Sequence, residues 1–335
     1  MLGRIAFSLA LVSLAFPQEA PQPASIKVQV DEVMVPVTVT DDKGKFVTGL
    51  EAADFRILEN GKQQKIGYFS REQKQPVVVG FLVDLGNSSR LHWKTFQEAL
   101  QELIVALLPG DRGSRFTGYL ISYGMQAELQ VNTTFDPEKL LEKARGLKPG
   151  GGAALYDALY LACTSRTLVK GEPIEPRRVV VIVGDGHDNA SKKGLEEVLE
   201  IAQRNMVTIF GVSTVAFGFT AEGEANLSKL ADSTGGRVFY PLQGLYKDVS
   251  GYLSTPSDEG NYALKVGTGG YASEIARGIF NSVANVVGEV TTQYVIRYTP
   301  DNTDVGKQFR RIEVKLPNLP AVRVRARSGY YPFAP

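Results

Sequence analysis

The chain has 335 residues, 43% hydrophobic and 22% charged, enough to bury one large core or two smaller ones. A net charge of +1 gives no electrostatic basis for binding nucleic acid or an anionic membrane. The single cysteine, Cys163, excludes an intrachain disulfide framework. Its helical neighbours Leu155, Leu159 and Ala162 make it a buried core thiol.

The N-terminus reads as a Sec signal peptide over 1–20. Arg4 is a short positive region, Ile5 to Val12 an apolar one, and Ser13-Leu14-Ala15 a small-x-small cleavage site, with Ala20 as a second option. No later segment is long enough to span a membrane. The expectation is export to the periplasm or the cell exterior. A lead-in over 16–25 is followed by N-terminal β strands over 26–72. Ile26, Val28 and Val30, then Val33, Val35, Val37 and Val39, alternate with other residues as half-buried strands do. Asp41-Asp42-Lys43-Gly44 is a turn. Phe55 to Leu58, Asn60-Gly61 and Lys65 to Phe69 form a β-hairpin, because Asn-Gly suits the left-handed positions of a tight turn.

From Pro76 the period changes, and a second domain over 76–290 begins. Apolar runs alternate with amphipathic segments, the pattern of a parallel sheet with helical crossovers. Strands are expected at Val77 to Val83, Arg115 to Tyr123, Arg178 to Val183, Val207 to Val212 and Val238 to Tyr240. Helices are expected at Trp93 to Leu107, Pro137 to Gly146, Ala154 to Thr167, Leu195 to Ala202 and Glu224 to Ser233. Residues 243–272 read as an irregular insertion. Ile275, Ile279, Val283, Val286 and Val290 then resume a helical stripe. The tail, 291–335, returns to alternation at Tyr294 to Tyr298, Ile312 to Leu316 and Val322 to Val324. The fold class is therefore α/β: a mostly parallel sheet with helices on both faces, inserted into a β-sandwich built from the N- and C-terminal strands.

Two apolar strands end in carboxylates, Asp84 in Asp84-Leu85-Gly86-Asn87-Ser88 and Asp185 in Gly184-Asp185-Gly186. Strand ends of an open α/β sheet are where such folds bind ligands. Together with Gly150-Gly151-Gly152-Ala153-Ala154-Leu155-Tyr156-Asp157-Ala158, these segments resemble the metal-ion-dependent adhesion site of von Willebrand factor type A (vWA) domains. Val37-Thr38-Val39-Thr40-Asp41, Asp54-Phe55, Glu59-Asn60-Gly61 and Gly329-Tyr330-Tyr331 are similar to phrases of an exported vWA-related subgroup from Acidobacteria. The resemblance implies a Rossmann-like fold and a metal set of Asp84, Ser88 and Asp185 for Mg2+ or another divalent cation. It implies a protein or peptide partner that offers an acidic side chain as the last ligand. Asn87, Ser89 and Asp188 are further ligand-face residues. The pattern is eroded: Gly86 stands where a serine belongs and Ala153 where a threonine belongs. Mg2+ prefers a near-octahedral set of oxygen ligands, so the loss of two hydroxyls leaves a weak or empty site. Alternatively, Asp84 and Asp185 cap the helices that follow them.

His187 and Asp188 follow Asp185, but with His92 the only other histidine, a zinc or dinuclear centre lacks ligands. No Gly-x-Ser-x-Gly elbow is present. Leu147 to Gly152 lacks the Gly-Lys-Ser/Thr ending of a phosphate loop and reads as a flexible turn. Arg323, Arg325 and Arg327 share one strand face, solvated or paired with a neighbouring strand. The expectation is a non-enzymatic exported binding or adhesion protein. The alternatives are a metal-independent assembly module of the cell envelope and, more remotely, a metal-dependent hydrolase.

Overall fold

The computed structural model describes residues 32–71, 76–90, 92–110, 115–165, 168, 176–215, 222–242, 268–302 and 308–332. The signal-peptide reading, the strand at Ile26 to Val30 and residues 243–267 of the irregular insertion lie outside them. No described helix is long and apolar enough to cross a membrane.

The N-terminal flank supplies β1 (Val33–Thr40), β2 (Arg56–Glu59), β3 (Lys62–Gln64) and β4 (Tyr68–Ser70). Asn60 and Gly61 adopt φ of 48° and 82°, the left-handed pair of a two-residue hairpin between β2 and β3. The expected return strand, Lys65 to Phe69, is displaced. Pairing with β2 is complete by Gln64, and Tyr68–Ser70 crosses to another sheet.

The central domain runs through β5 (Val77–Asp84), α1 (Trp93–Leu107), β6 (Phe116–Tyr123), β7 (Ala127–Thr134), α2 (Pro137–Gly146), α3 (Leu155–Thr164), β8 (Arg177–Val183), α4 (Leu195–Arg204), β9 (Thr208–Val212), α5 (Glu222–Thr234), β10 (Val238–Phe239) and α6 (Thr268–Thr292). Residues 268–272, read from sequence as part of the insertion, belong to α6. The sheet order is β10-β9-β8-β5-β6-β7, parallel throughout except for β7. Strands buried on both faces read as continuous apolar runs, and alternate residues serve opposite cores. Val77, Val79, Phe81 and Val83 pack with α1, α2 and α6, whereas Val78 and Leu82 pack with α3, α4 and α5. Gly80 interrupts the run because a Cβ there would collide with the Tyr119 ring. Cys163 is buried in the second core, and burial pushes its thiol up to about 12.

The C-terminal flank adds β11 (Tyr294–Tyr298), β12 (Arg310–Lys315), β13 (Arg323–Ala326) and β14 (Gly329–Tyr330). Two antiparallel sheets result, β13-β1-β11-β4 and β14-β12-β2-β3. Val35, Val37, Phe55, Ile57, Tyr294, Ile296 and Ile312 share one core between them, as in a sandwich. Glu289, near the end of α6, ties the central domain to this sandwich. It is fully buried, its Oε1 lies 2.7 Å from Arg237 Nε, and its Oε2 is paired with the Arg325 guanidinium. These are ion pairs whose approach is not along a hydrogen-bond direction. The reading of the arginine row as a solvated or strand-paired face holds for the exposed Arg323 and is corrected for the other two: Arg325 pairs with a helix carboxylate, and Arg327 is 1% exposed.

Candidate functional site

Asp84 and Asp185 follow adjacent parallel strands, so register alone brings them to the same sheet edge. Asp84 is 1% exposed. Its Oδ1 accepts the Gly86 N–H at 2.6 Å, and the Asp185 N–H also faces the carboxylate. The Ser89 hydroxyl is buried against it without meeting hydrogen-bond geometry. Burial, and then the charge of Asp185, raise the Asp84 pKa from 3.8 to about 6; the three donors oppose that rise. Asp185 is half-buried, and its Oδ1 accepts the His187 N–H at 2.8 Å.

Tyr123 is a member of this group that sequence reasoning missed. It is paired with Asp84 in the β5–β6 register, is fully buried, and its phenol has no hydrogen-bond partner among the described residues. Burial, then the charges of Asp84, Asp185 and Asp188, hold its pKa well above the ordinary value. Its only sequence signal is its position as the last residue of a strand beside β5. Gly184 makes the cluster possible: a Cβ there would strike Tyr123 Oη and lie 2.8 Å from Asp84 Cβ.

Gly86 and Ala153 face one another beside Asp84. A Cβ on Gly86 would lie 3.0 Å from Asp84 Oδ1 and 3.5 Å from Ala153 Cβ. The two lost hydroxyls therefore belong to one spot. Ser88 is exposed on a 3-10 turn, Asn87–Arg90, while Ser89 points inward. Asn87 and Asp188 act on the loops themselves. Asn87 Oδ1 accepts the Gly151 N–H at 3.3 Å. Asp188 Oδ2 accepts the Tyr156 N–H at 2.9 Å and the Ser191 hydroxyl at 2.6 Å, and so caps α3.

The loop before α3 is not the flexible turn expected from its glycines. Gly150 N–H donates to Leu85 O at 2.6 Å, Gly152 N–H to Met125 Sδ at 3.2 Å, and Ala153 N–H to Asn189 Oδ1 at 2.8 Å. Four loops, after β5, between β6 and β7, before α3 and after β8, are thereby clamped into one surface. Asn87, Ser88, Arg90 and His187 are exposed on it, and Met125 is 66% exposed.

As a cation site the donor set is short. Two carboxylates and neighbouring hydroxyls are present, and among the described residues no third acidic, histidine or cysteine side chain completes a ligand group. The protein donors present, Asp84, Asp185 and nearby hydroxyls, fall short of a full hard-cation shell.

Residues 79–243 match the family model for the von Willebrand factor type A domain. The central α/β domain belongs to that family. A comparison with curated proteins returned no match. Among solved structures, the chain is similar to the vWF domain of the type V pili tip protein Mfa5 from Porphyromonas gingivalis, at 22% identity over 34% of this chain and 39% of that one, with a TM-score of 0.30. It is also similar to the conserved hypothetical protein BatB from Bacteroides thetaiotaomicron, at 16% identity over 59% and 99%, with a TM-score of 0.39. A third is proximal thread matrix protein 1 from the mussel byssus with a zinc-occupied MIDAS motif, at 16% identity over 51% and 43%, with a TM-score of 0.40. The chain spans less than two-fifths of the pilus-tip domain's length. At these TM-scores the likenesses add nothing to the family match.

Proposed function

We propose that this chain is an exported binding or adhesion protein whose vWA loop face, around Asp84, Ser88 and Asp185, engages a protein or peptide partner. The family supports the class, since vWA domains are generally interaction modules rather than enzymes. The observation that carries the reading is the clamp: Asn189, Asn87 and Asp188 spend their side chains on fixing three loops, yet leave Ser88, Arg90, Met125 and His187 outward. A pre-ordered surface of mixed polar and apolar groups costs little entropy to dock on. Any contribution from a divalent cation is weak, because Gly86 and Ala153 lack the hydroxyls that would complete its shell.

A displayed peptide library selected on the immobilised full chain tests this. Ligands are expected to lose binding to a Met125→Asp, Ser88→Arg variant and to keep most of it in chelator. Ligands that bind that variant as well as the parent would refute the loop-face reading. They would instead support the second reading, an assembly module acting through other surfaces. That reading has its own support in Asp84, Asp185 and Asp188, which accept the N–H groups of Gly86, His187 and Ser191 in their own loops.

A further inference from the structure

The β-sandwich is open along one side. β12 and β13 follow one another in sequence but belong to different sheets, and neither pairs with the other. Between them lies a cleft of about 260 Å³. Val314, Val324 and Ala326 line it as half-buried apolar side chains, and the half-buried Glu313 pairs with the exposed Lys315 at 3.0 Å.

Both strand edges present backbone groups to this cleft. Ile312 N–H donates to Ser328 O at 2.9 Å, whereas Arg311 O accepts the Asn60 N–H on the β2 side. Alternation then turns the Val314 N–H and C=O outward, towards the cleft. Across it, the Val47 N–H donates to Val39 O, so Val39 faces away from β13 and Thr38 and Thr40 face towards it. Thr38 and Thr40 pair with Arg325 and Arg323, which leaves the peptide groups of Val324 and Ala326 pointing outward. Open edges of this kind template an added strand.

Charge specifies the occupant. Inside the sandwich Glu59 accepts the hydroxyls of Tyr298 and Tyr330 at 2.7 and 3.1 Å and pairs with Arg310 at 3.4 Å. Its capacity is used. Arg327, which also lines the cleft, is 1% exposed, and its Nε, Nη1 and Nη2 have no partner among the described residues. The Glu59 carboxylate thus serves Arg310, and among the described residues no carboxylate is paired with Arg327. A buried unpaired charge is strongly unfavourable, so an anion supplied from outside is favoured here.

We propose that the β12–β13 cleft takes up an extended acidic peptide segment of a partner protein, which pairs with both strand edges and neutralises Arg327 with a carboxylate. This surface lies in the sandwich, and its test is separate from that of the vWA loop face.

The probe is a fluorescein-labelled peptide that alternates valine with aspartate and threonine, titrated into the full chain by anisotropy. The same peptide with lysine for aspartate is the control. Binding of the acidic probe alone is expected. Arg327→Leu should weaken it about tenfold or more, since a charge-assisted hydrogen-bond set is lost, while thermal stability is kept or raised. Val314→Pro should weaken binding as well, because it removes the cleft-facing N–H and leaves the β2 ladder intact. Absence of binding by the acidic probe, equal binding of the lysine peptide, or retained binding in both variants would overturn the proposal.

Discussion

Asp84→Asn is expected to stabilise the protein at neutral pH. The carboxylate is 1% exposed beside Asp185, and its pKa is raised from 3.8 to about 6 by burial first and by Asp185 second. An acid whose pKa is higher in the folded state holds its proton more tightly there. Its ionisation therefore costs stability as pH rises through the interval between those two values. At about 1.36 kcal/mol per pKa unit, the cost is about 3 kcal/mol once pH is above 6, and it shrinks to about 0.5 kcal/mol near pH 4. Asparagine keeps an oxygen for the Gly86 N–H and removes the charge. Urea denaturation of both proteins at pH 4, 5.5 and 7.5 should give curves that diverge with pH, the variant being more stable by about 2–3 kcal/mol at the top of the range. Equal stability at pH 7.5, or a gap that does not change with pH, would refute the assignment of buried electrostatic strain to Asp84.

Three further predictions concern neighbouring features. Gly86→Ser with Ala153→Thr returns two oxygen donors to one spot and should create a dose-dependent thermal shift with MgCl2 that exceeds that of the parent; an unchanged response means that loop geometry, not donor number, limits the site. Gly184→Ala should destabilise by about 1–3 kcal/mol or more, read as a lowered urea midpoint, because its methyl group has no room beside Tyr123 and Asp84. Glu289→Ala should cost about 1–3 kcal/mol by the same measurement, since it strands Arg237 and Arg325, which solvent reaches in part; no loss would mean that the desolvation of Glu289 offsets both ion pairs.

The sequence carried most of the fold because its signals are local. Valines at alternate positions mark β1, and the continuous run from Val77 marks a strand buried on both faces. The strand β7 escaped notice because it is an antiparallel edge with only half-buried and exposed residues, so Leu129 and Val131 stand among polar neighbours without a clear period. The carboxylate pair was legible from strand ends. Tyr123 was not, because its role depends on register with β5 and on the missing side chain at Gly184. The arginine row misled for a similar reason: spacing fixes a strand face, but only the packing of α6 against β13 brings Glu289 to Arg325.

The pairing of β1 has a consequence for biogenesis. Val33 lies opposite Tyr298 and Val37 opposite Ala326, so the first described strand to be synthesised has its partners at the far end of the chain. The central domain, whose strands join β5 to neighbours within its own stretch, is complete before those partners emerge. Until then an apolar strand with two unsatisfied edges waits in the nascent chain. Such long-range closure is slow and exposed to aggregation. Closing the sandwich therefore requires pairings of the longest sequence separation, and β1 is the strand whose edges stay open until both ends of the described chain meet.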